Sequence, residues 1–249
     1  MFDAHKALVV YSGVLTLAVV VALLSGFTEA GGGNAHFNTL TVQRINFVEP
    51  DGTLRMVLAN NHKIPNVIIA GHEYPDYGNR KASTAAGVLF SDANGTESGG
   101  LTFGGRKASD GSKSRWGHLS FDAYDQDQMF AIDATSDGTN QATTMKIWDT
   151  PSWSIKEYLD LLDAIRNLPP AEQQARIAQF VATHPEAQLR VLLSEENYPD
   201  APDFSRNIFS LNDRAGNERT RLGIDAQDKP ALKFLDTAGS VTHEYPPTP

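Results

Sequence analysis

The chain has 249 residues and a formal net charge of −9, from 21 Lys and Arg against 30 Asp and Glu. Its share of apolar and charged residues excludes a disordered chain, a collagen and a polytopic membrane protein. The acidic charge and the absence of a basic run argue against nucleic acid as a partner, because phosphate binding needs clustered Lys and Arg. The absence of Cys excludes disulfides, thiolate metal sites and Cys nucleophiles.

An uncharged apolar segment runs from Ala7 to Phe27. As a helix it would be about 31 Å long, which matches a hydrocarbon core of about 30 Å. We predict that residues 1–30 form one transmembrane helix that anchors the protein, with a cleaved secretory signal as the alternative. Lys6 precedes the segment and the next basic residue is Arg44, so the N-terminus is predicted to be cytoplasmic and the bulk periplasmic or extracellular.

A Gly-rich tether at residues 31–35 precedes a predicted β-rich domain at residues 36–150. Short apolar runs separated by Gly, Asn and Asp predict an antiparallel, hairpin-rich sheet, so the fold class is mainly β. The predicted strands of this domain are Thr39–Asn46, Leu54–Leu58, Val67–Ala70, Val88–Phe90, Leu101–Phe103, His118–Phe121, Met129–Ile132 and Met145–Trp148.

The apolar spacing changes to a helical period in residues 151–198, which predicts a small insert of two to three helices. Ser154 and Glu157 have the spacing of a capping box at the start of the first helix. Apolar residues at helical spacing follow it, namely Ile155, Leu159, Leu162 and Ile165. The second helix is predicted at about Ala171–Thr183 and the third at about Glu186–Glu196, after Pro185.

The C-terminal region, residues 199–245, is predicted to return to β-hairpins that pack with the β domain. Its expected strands are Ile208–Leu211, Thr220–Ile224 and Ala231–Leu235. Residues 246–249 are a tail.

One turn pattern occurs four times, ending at Gly52, Gly95, Gly216 and Gly239. Each Gly follows an acidic residue by three positions and an apolar residue by five. This pattern predicts hairpin turns in which an acidic side chain accepts bonds from turn amides and Gly supplies a positive φ. The segment from Asp92 to Glu97 also offers oxygen ligands for calcium, but it lacks the ligand number and spacing of a twelve-residue calcium loop.

Three segments, at residues 43–60, 86–105 and 117–132, together with residues 219–239, resemble a group of bacterial proteins of uncharacterised function. The resemblance covers most of residues 38–242 and implies a bacterial origin and a β-rich fold, with no activity or catalytic residue to transfer. Arg55 and Arg219 follow two of the repeated turns, which is also similar to hairpin repeats of fibre-type trimeric proteins. Ser98 and Thr242 stand at the corresponding places in the other two turns.

The densest polar cluster contains His118, Asp122, Asp125 and Asp127. On a strand, His118, Ser120 and Asp122 would point to one face, where paired carboxylates could bind a cation or act as acid and base. We take these residues and Glu97, beside a Gly-rich run, as the candidate binding residues. The alternative is a solvated strand end followed by an acidic turn. We assign no catalytic residue, no metal ligand and no cofactor, because the sequence contains no nucleophile or metal-ligand motif.

Together these features predict a membrane-anchored, extracytoplasmic structural or protein-interaction module in the bacterial cytoplasmic membrane. Its expected partner is an envelope protein or a second copy of the chain. The alternative is an exported domain that binds a small ligand or a divalent metal and could be hydrolytic.

Overall fold

The computed structural model describes residues 11–20, 34–75, 77–199, 201, 206–224 and 227–246. Two compact units are distinguished, Met1–Thr41 and Val42–Pro249. In the first unit, residues 11–20 are helical and exposed, and the Thr16 hydroxyl donates to the Ser12 carbonyl at 2.8 Å. Among the described residues, no helix has the length and apolar character needed to cross a membrane. Residues 7–10 and 21–27 of the predicted span lie outside the described part of the chain.

The second unit is built on a twelve-stranded antiparallel sheet, which confirms the mainly β prediction. Its strands follow one another across the sheet in chain order, because nearly all are joined by hairpins. They are β1 (Arg44–Val48), β2 (Leu54–Ala59), β5 (Ala86–Ser91), β6 (Glu97–Lys107), β7 (Lys113–Asp122), β8 (Gln128–Ser136), β9 (Gln141–Asp149), β10 (Gln188–Asn197), β11 (Arg206–Asn212), β12 (Glu218–Ile224), β13 (Pro230–Leu235) and β14 (Val241–Tyr245). A separate hairpin of β3 (Val67–Ile69) and β4 (His72–Tyr74) lies between β2 and β5 in the chain.

All four repeated turns contain the predicted glycine of positive φ, between +74° and +90°. In three of them the acidic side chain also accepts the predicted bonds from turn amides. Asp92 shows the pattern: its Oδ1 accepts from the amides of Asn94 at 2.8 Å and Thr96 at 2.9 Å. The turns at Asp213 and Asp236 repeat these bonds. The first turn departs from the prediction, because the Glu49 carboxylate pairs with the Arg55 guanidinium instead.

Two helices connect β9 to β10. Helix α1 (Ile155–Ile165) starts at the predicted capping box, in which Ser154 caps the helix and Glu157 bonds back to the Ser154 amide. Its apolar stripe is buried at Ile155, Leu159 and Ile165. Helix α2 (Pro170–Val181) has Pro170 at its first position, consistent with the preference of proline for the first helical turn.

The third predicted helix is replaced by a strand. Residues predicted as a helix at about 186–196 contain β10, which pairs with β9 on one side and β11 on the other. Val191 and Leu193 point to one face of the sheet and Ser194 to the other, an alternation of period two. Ladder pairing on both sides outweighs the helical tendency of this leucine-rich segment, so the helical insert contains two helices.

Smaller differences concern the strand boundaries. The first strand starts at Arg44 rather than at Thr39, and β4 and β14 have no counterpart among the predicted strands. The Gly-rich run after Glu97 lies inside β6, not in a loop. A Cβ on Gly99 would lie 2.3 Å from the Ser120 carbonyl oxygen, so glycine is needed there for close backbone approach.

Candidate functional site

A cavity of about 330 Å³, lined by polar and apolar side chains, lies over one face of strands β5–β8. The β3–β4 hairpin contributes Val67 and Ile69 to its walls, the following loop contributes Tyr77 and Arg80, and α1 contributes Ile155. The amide of Ile155 donates to the carbonyl of Asp125 at 2.8 Å, which fixes the start of α1 against the β7–β8 turn. The cavity is therefore held between the sheet and elements that are distant in sequence.

Strand β7 places three side chains in this cavity. His118, Ser120 and Asp122 all line it, as the alternation along the strand predicted. Glu97, at the start of β6, and Asp127, after the β7–β8 turn, line it as well. The structure thus brings together four of the five predicted binding residues.

Asp125 is the exception. It lies in the β7–β8 turn with a φ of +54°, and it is not among the residues that line the cavity. The Asp125 backbone carbonyl accepts the hydrogen bond from the Ile155 amide of α1. Asp125 therefore contributes to the structure through its backbone rather than its carboxylate.

A buried ion pair joins Glu97 to Arg80. Arg80 donates from Nη1 to Glu97 Oε2 at 2.9 Å, from Nη2 to Oε1, and from Nη1 to the Pro65 carbonyl at 3.2 Å. The Arg80 side chain is only 16% exposed and the Glu97 side chain only 11%. Burial raises the pKa of Glu97, and the charge of Arg80 opposes that rise.

The carboxyl group of Asp122 is strongly perturbed. Burial, together with the negative charges of Glu97 and Asp127, raises the pKa of Asp122 from 3.8 to about 7. Its Oδ1 is buried and has no hydrogen-bond partner. Three carboxyl groups therefore line the cavity beside a single guanidinium, and this imbalance favours a ligand with a positively charged, hydrogen-bond-donating group.

His118 lies at the cavity wall in a chain of polar contacts. Its Nδ1 is 2.7 Å from Asp133 Oδ1, and Lys146 Nζ is 3.5 Å from Asp133 Oδ2. Its Nε2 is 3.4 Å from Gln128 Nε2. A carboxylate that holds an imidazole orients it as a base in many enzymes. Here the ring contacts only Asp133 and Gln128 among the hydrogen bonds described, and neither has a hydroxyl or thiol that the base could activate.

Arg80 and Asp133 were not identified from the sequence. Asp133 could have been predicted, because it pairs directly with His118 across the β7–β8 hairpin. Arg80 offered no comparable signal, since its contact with Glu97 depends on how the loop after β4 folds over the sheet.

Within the described part of the chain, no group of three or more His, Asp or Glu side chains could hold a metal ion. Glu97 is engaged by Arg80, and the carboxylate of Asp92 is engaged by turn amides. The calcium alternative for residues 92–97 is therefore not supported by the geometry of those side chains.

The opposite face of the sheet is apolar. Cross-strand partners point to the same side of a sheet, so the strand register defines rows of side chains. The central row contains only apolar side chains and crosses all twelve strands: Ile45, Leu58, Val88, Leu101, Leu119, Ile132, Met145, Leu193, Phe209, Leu222, Leu232 and Tyr245.

A second row runs beside the first and contains no Asp, Glu, Lys or Arg. Its members are Phe47, Met56, Phe90, Gly99, Phe121, Phe130, Ile147, Val191, Leu211, Thr220, Phe234 and His243. We call these two rows the apolar face. In contrast, the row that passes through Ser120 on the cavity side includes Lys146, Arg221 and Lys233.

Much of the apolar face is accessible to solvent. Leu193 is 47% exposed, Leu222 53% and Phe121 55%. Strands β8–β13 form a concavity of about 670 Å³ on this face, lined by Ile132, Met145, Leu193, Phe209 and Leu222 among others. Glu195, two residues after Leu193 on β10, also lines the concavity. An apolar surface of this extent is typical of a binding interface.

Comparisons with known proteins returned no matching family model, no matching curated protein and no matching solved structure. The functional interpretation therefore depends on the geometry of this chain.

Proposed function

We propose that this chain is a protein-interaction module that binds its partner through the apolar face. The observation behind the proposal is the continuous central row, apolar at all twelve positions and partly open to solvent. Such a surface costs free energy in water, and burial against a partner would recover about 25 cal/mol for each Å² of apolar area. On the opposite face, the β3–β4 hairpin and α1 cover strands β5–β8, and Lys146 and Arg221 lie on the strands beyond them.

The proposed location is the bacterial cytoplasmic membrane, with residues 42–249 on its outer side. The support is the uncharged segment Ala7–Phe27 and the position of Lys6 before it. Alkaline extraction of membranes from expressing cells tests this location, since an anchored chain stays with the membrane pellet. A cleaved signal would instead release a protein whose mass lacks the N-terminal segment.

The interaction is tested by the reactivity of single cysteines in a chain that has none. In native membranes, Leu222→Cys should react slowly with a bulky polar maleimide, although Leu222 is 53% exposed in the isolated chain. Ala238→Cys, in the exposed turn between β13 and β14, is the matched control and should react fast. Equal reaction rates at both positions would contradict the proposal.

A second candidate function is binding of a small organic cation in the cavity. The specific observation is the unpartnered, buried Oδ1 of Asp122 beside two further carboxyl groups. Ethanolamine and putrescine serve as probes, because a ligand that binds only the folded state raises the melting temperature. Asp127→Asn should abolish the shift and Asp125→Asn should keep it, since only Asp127 lines the cavity. No shift with any probe would remove this candidate.

A further inference from the structure

The apolar face is about the size of a stable protein interface. Twelve strands spaced by about 4.8 Å span about 53 Å, and two rows of side chains cover about 14 Å along the strands, which gives about 700 Å². Stable complexes bury about 800 Å² on each partner. A helix lying along the two rows would need to be about 53 Å long, or about 35 residues at about 1.5 Å each. Helices α1 and α2 have only 11 and 12 residues.

A sheet of the same size meets the requirement for a partner. Sheets pack face to face about 10 Å apart through their apolar sides, which is the architecture of a β-sandwich. The only sheet of this width in the described part of the chain is the twelve-stranded sheet itself. Neither row of the apolar face contains Asp, Glu, Lys or Arg, so two copies bring no like charges together within these rows. Glu195 lies in the adjacent row.

The shape of the face selects one arrangement of two copies. Strands β5–β7 present Phe90 and Phe121 of the apolar face, 47% and 55% exposed, and Phe103 in the adjacent row, 57% exposed. Strands β8–β13 form the concavity. If each strand faced its own copy, concavity would meet concavity and leave a void, which close-packed interfaces avoid. A two-fold axis parallel to the strands, between β8 and β9, places the aromatic half of one copy against the concave half of the other.

We propose that two copies of this chain pack apolar face on apolar face about this axis, forming a two-layer sandwich. The inference rests on the proposed function and names its partner. In this dimer β8 faces the partner's β9, β7 faces its β10 and β6 faces its β11. Leu101 of one protomer therefore lies opposite Phe209 of the other, and each of these residues is distant from its own copy.

The full chain, solubilised from membranes in mild detergent, should have twice the 27.1 kDa mass of one protomer by native mass spectrometry. This measurement uses the unaltered protein and does not depend on how a variant folds. A monomer or a trimer would overturn the inference.

The register is tested by cross-linking in membranes, with two tagged chains expressed together. Leu101→Cys in one chain and Phe209→Cys in the other should give a covalent dimer with a short bifunctional maleimide. Each variant expressed alone should give none. Lys233→Cys, which points to the other face, is the control and should not cross-link with either. Cross-linking of each variant alone, without the mixed product, would show that each strand faces itself and would overturn this axis.

The results separate failure of the inference from failure of the proposed function. If Leu222→Cys is protected in membranes but no self-cross-link forms, another protein covers the face. The second-copy inference is then wrong and the proposed function stands. If Leu222→Cys is fully reactive and the chain is monomeric, both are wrong.

Discussion

Asp122→Asn should stabilise the protein at alkaline pH and have little effect at acidic pH. Asp122 is surrounded by Glu97, Asp127 and Arg80, and burial is the main cause of its raised pKa of about 7. A carboxyl group whose pKa is higher in the folded state binds protons more tightly there, so stability is fully present below the unfolded pKa and is lost as pH rises. Asparagine keeps the size of the side chain and removes its charge.

The size of the effect follows from the two pKa values. The difference between 3.8 and about 7 corresponds to about 4 kcal/mol, of which about 2.5 kcal/mol is lost between pH 5 and pH 8. For a protein of this size, that amounts to roughly 5–10 °C in melting temperature. Glu97 also has a raised pKa, so the wild type and the variant must be compared at the same pH.

The assay is thermal unfolding of the full chain in non-ionic detergent, followed by near-ultraviolet circular dichroism at pH 5 and pH 8. The matched control is Asp137→Asn in the exposed β8–β9 turn, where a hydrogen bond from the backbone amide of Thr139 lowers the pKa of Asp137. That variant should lose stability at pH 8 rather than gain it. The reasoning is refuted if Asp122→Asn gains no more stability at pH 8 than at pH 5.

Three further predictions concern the folded structure. Arg80→Met should destabilise the protein by about 3–5 kcal/mol in denaturant unfolding, because it leaves Glu97 buried and unpaired. The double variant Arg80→Met with Glu97→Leu should lose less stability, and an equal loss would contradict this account. Gly99→Ala should prevent normal folding, because its Cβ would overlap the Ser120 carbonyl oxygen. Gly52→Ala has nothing within 4 Å of its Cβ and should cost only about 1–2 kcal/mol, from the positive φ of +90°. Circular dichroism and melting temperatures compare the two. Ser154→Ala should cost about 1 kcal/mol by loss of the α1 cap, and an unchanged melting temperature would show that the cap contributes nothing.

The candidate cavity was partly predictable. Period-two alternation along β7 predicted that His118, Ser120 and Asp122 share a face, and the structure places all three in the cavity. Asp125 could not be separated from its neighbours by sequence, because the exact end of a strand decides which turn residues face inward. Arg80 lies 17 residues from Glu97, and only the folding of the intervening loop brings them together.

The sequence by itself determined the features that depend on contacts within a few residues. The Asp-Gly hairpin turns and the capping box of α1 form from bonds between residues two to four positions apart, so their local sequences suffice. Tertiary structure alone decided that residues 188–197 form a central strand, because that strand is stabilised by β9 and β11 on either side. It also decided which face of the sheet is covered. Alternation along a strand shows which residues share a face, but the covered face is known only once the β3–β4 hairpin and α1 pack on it.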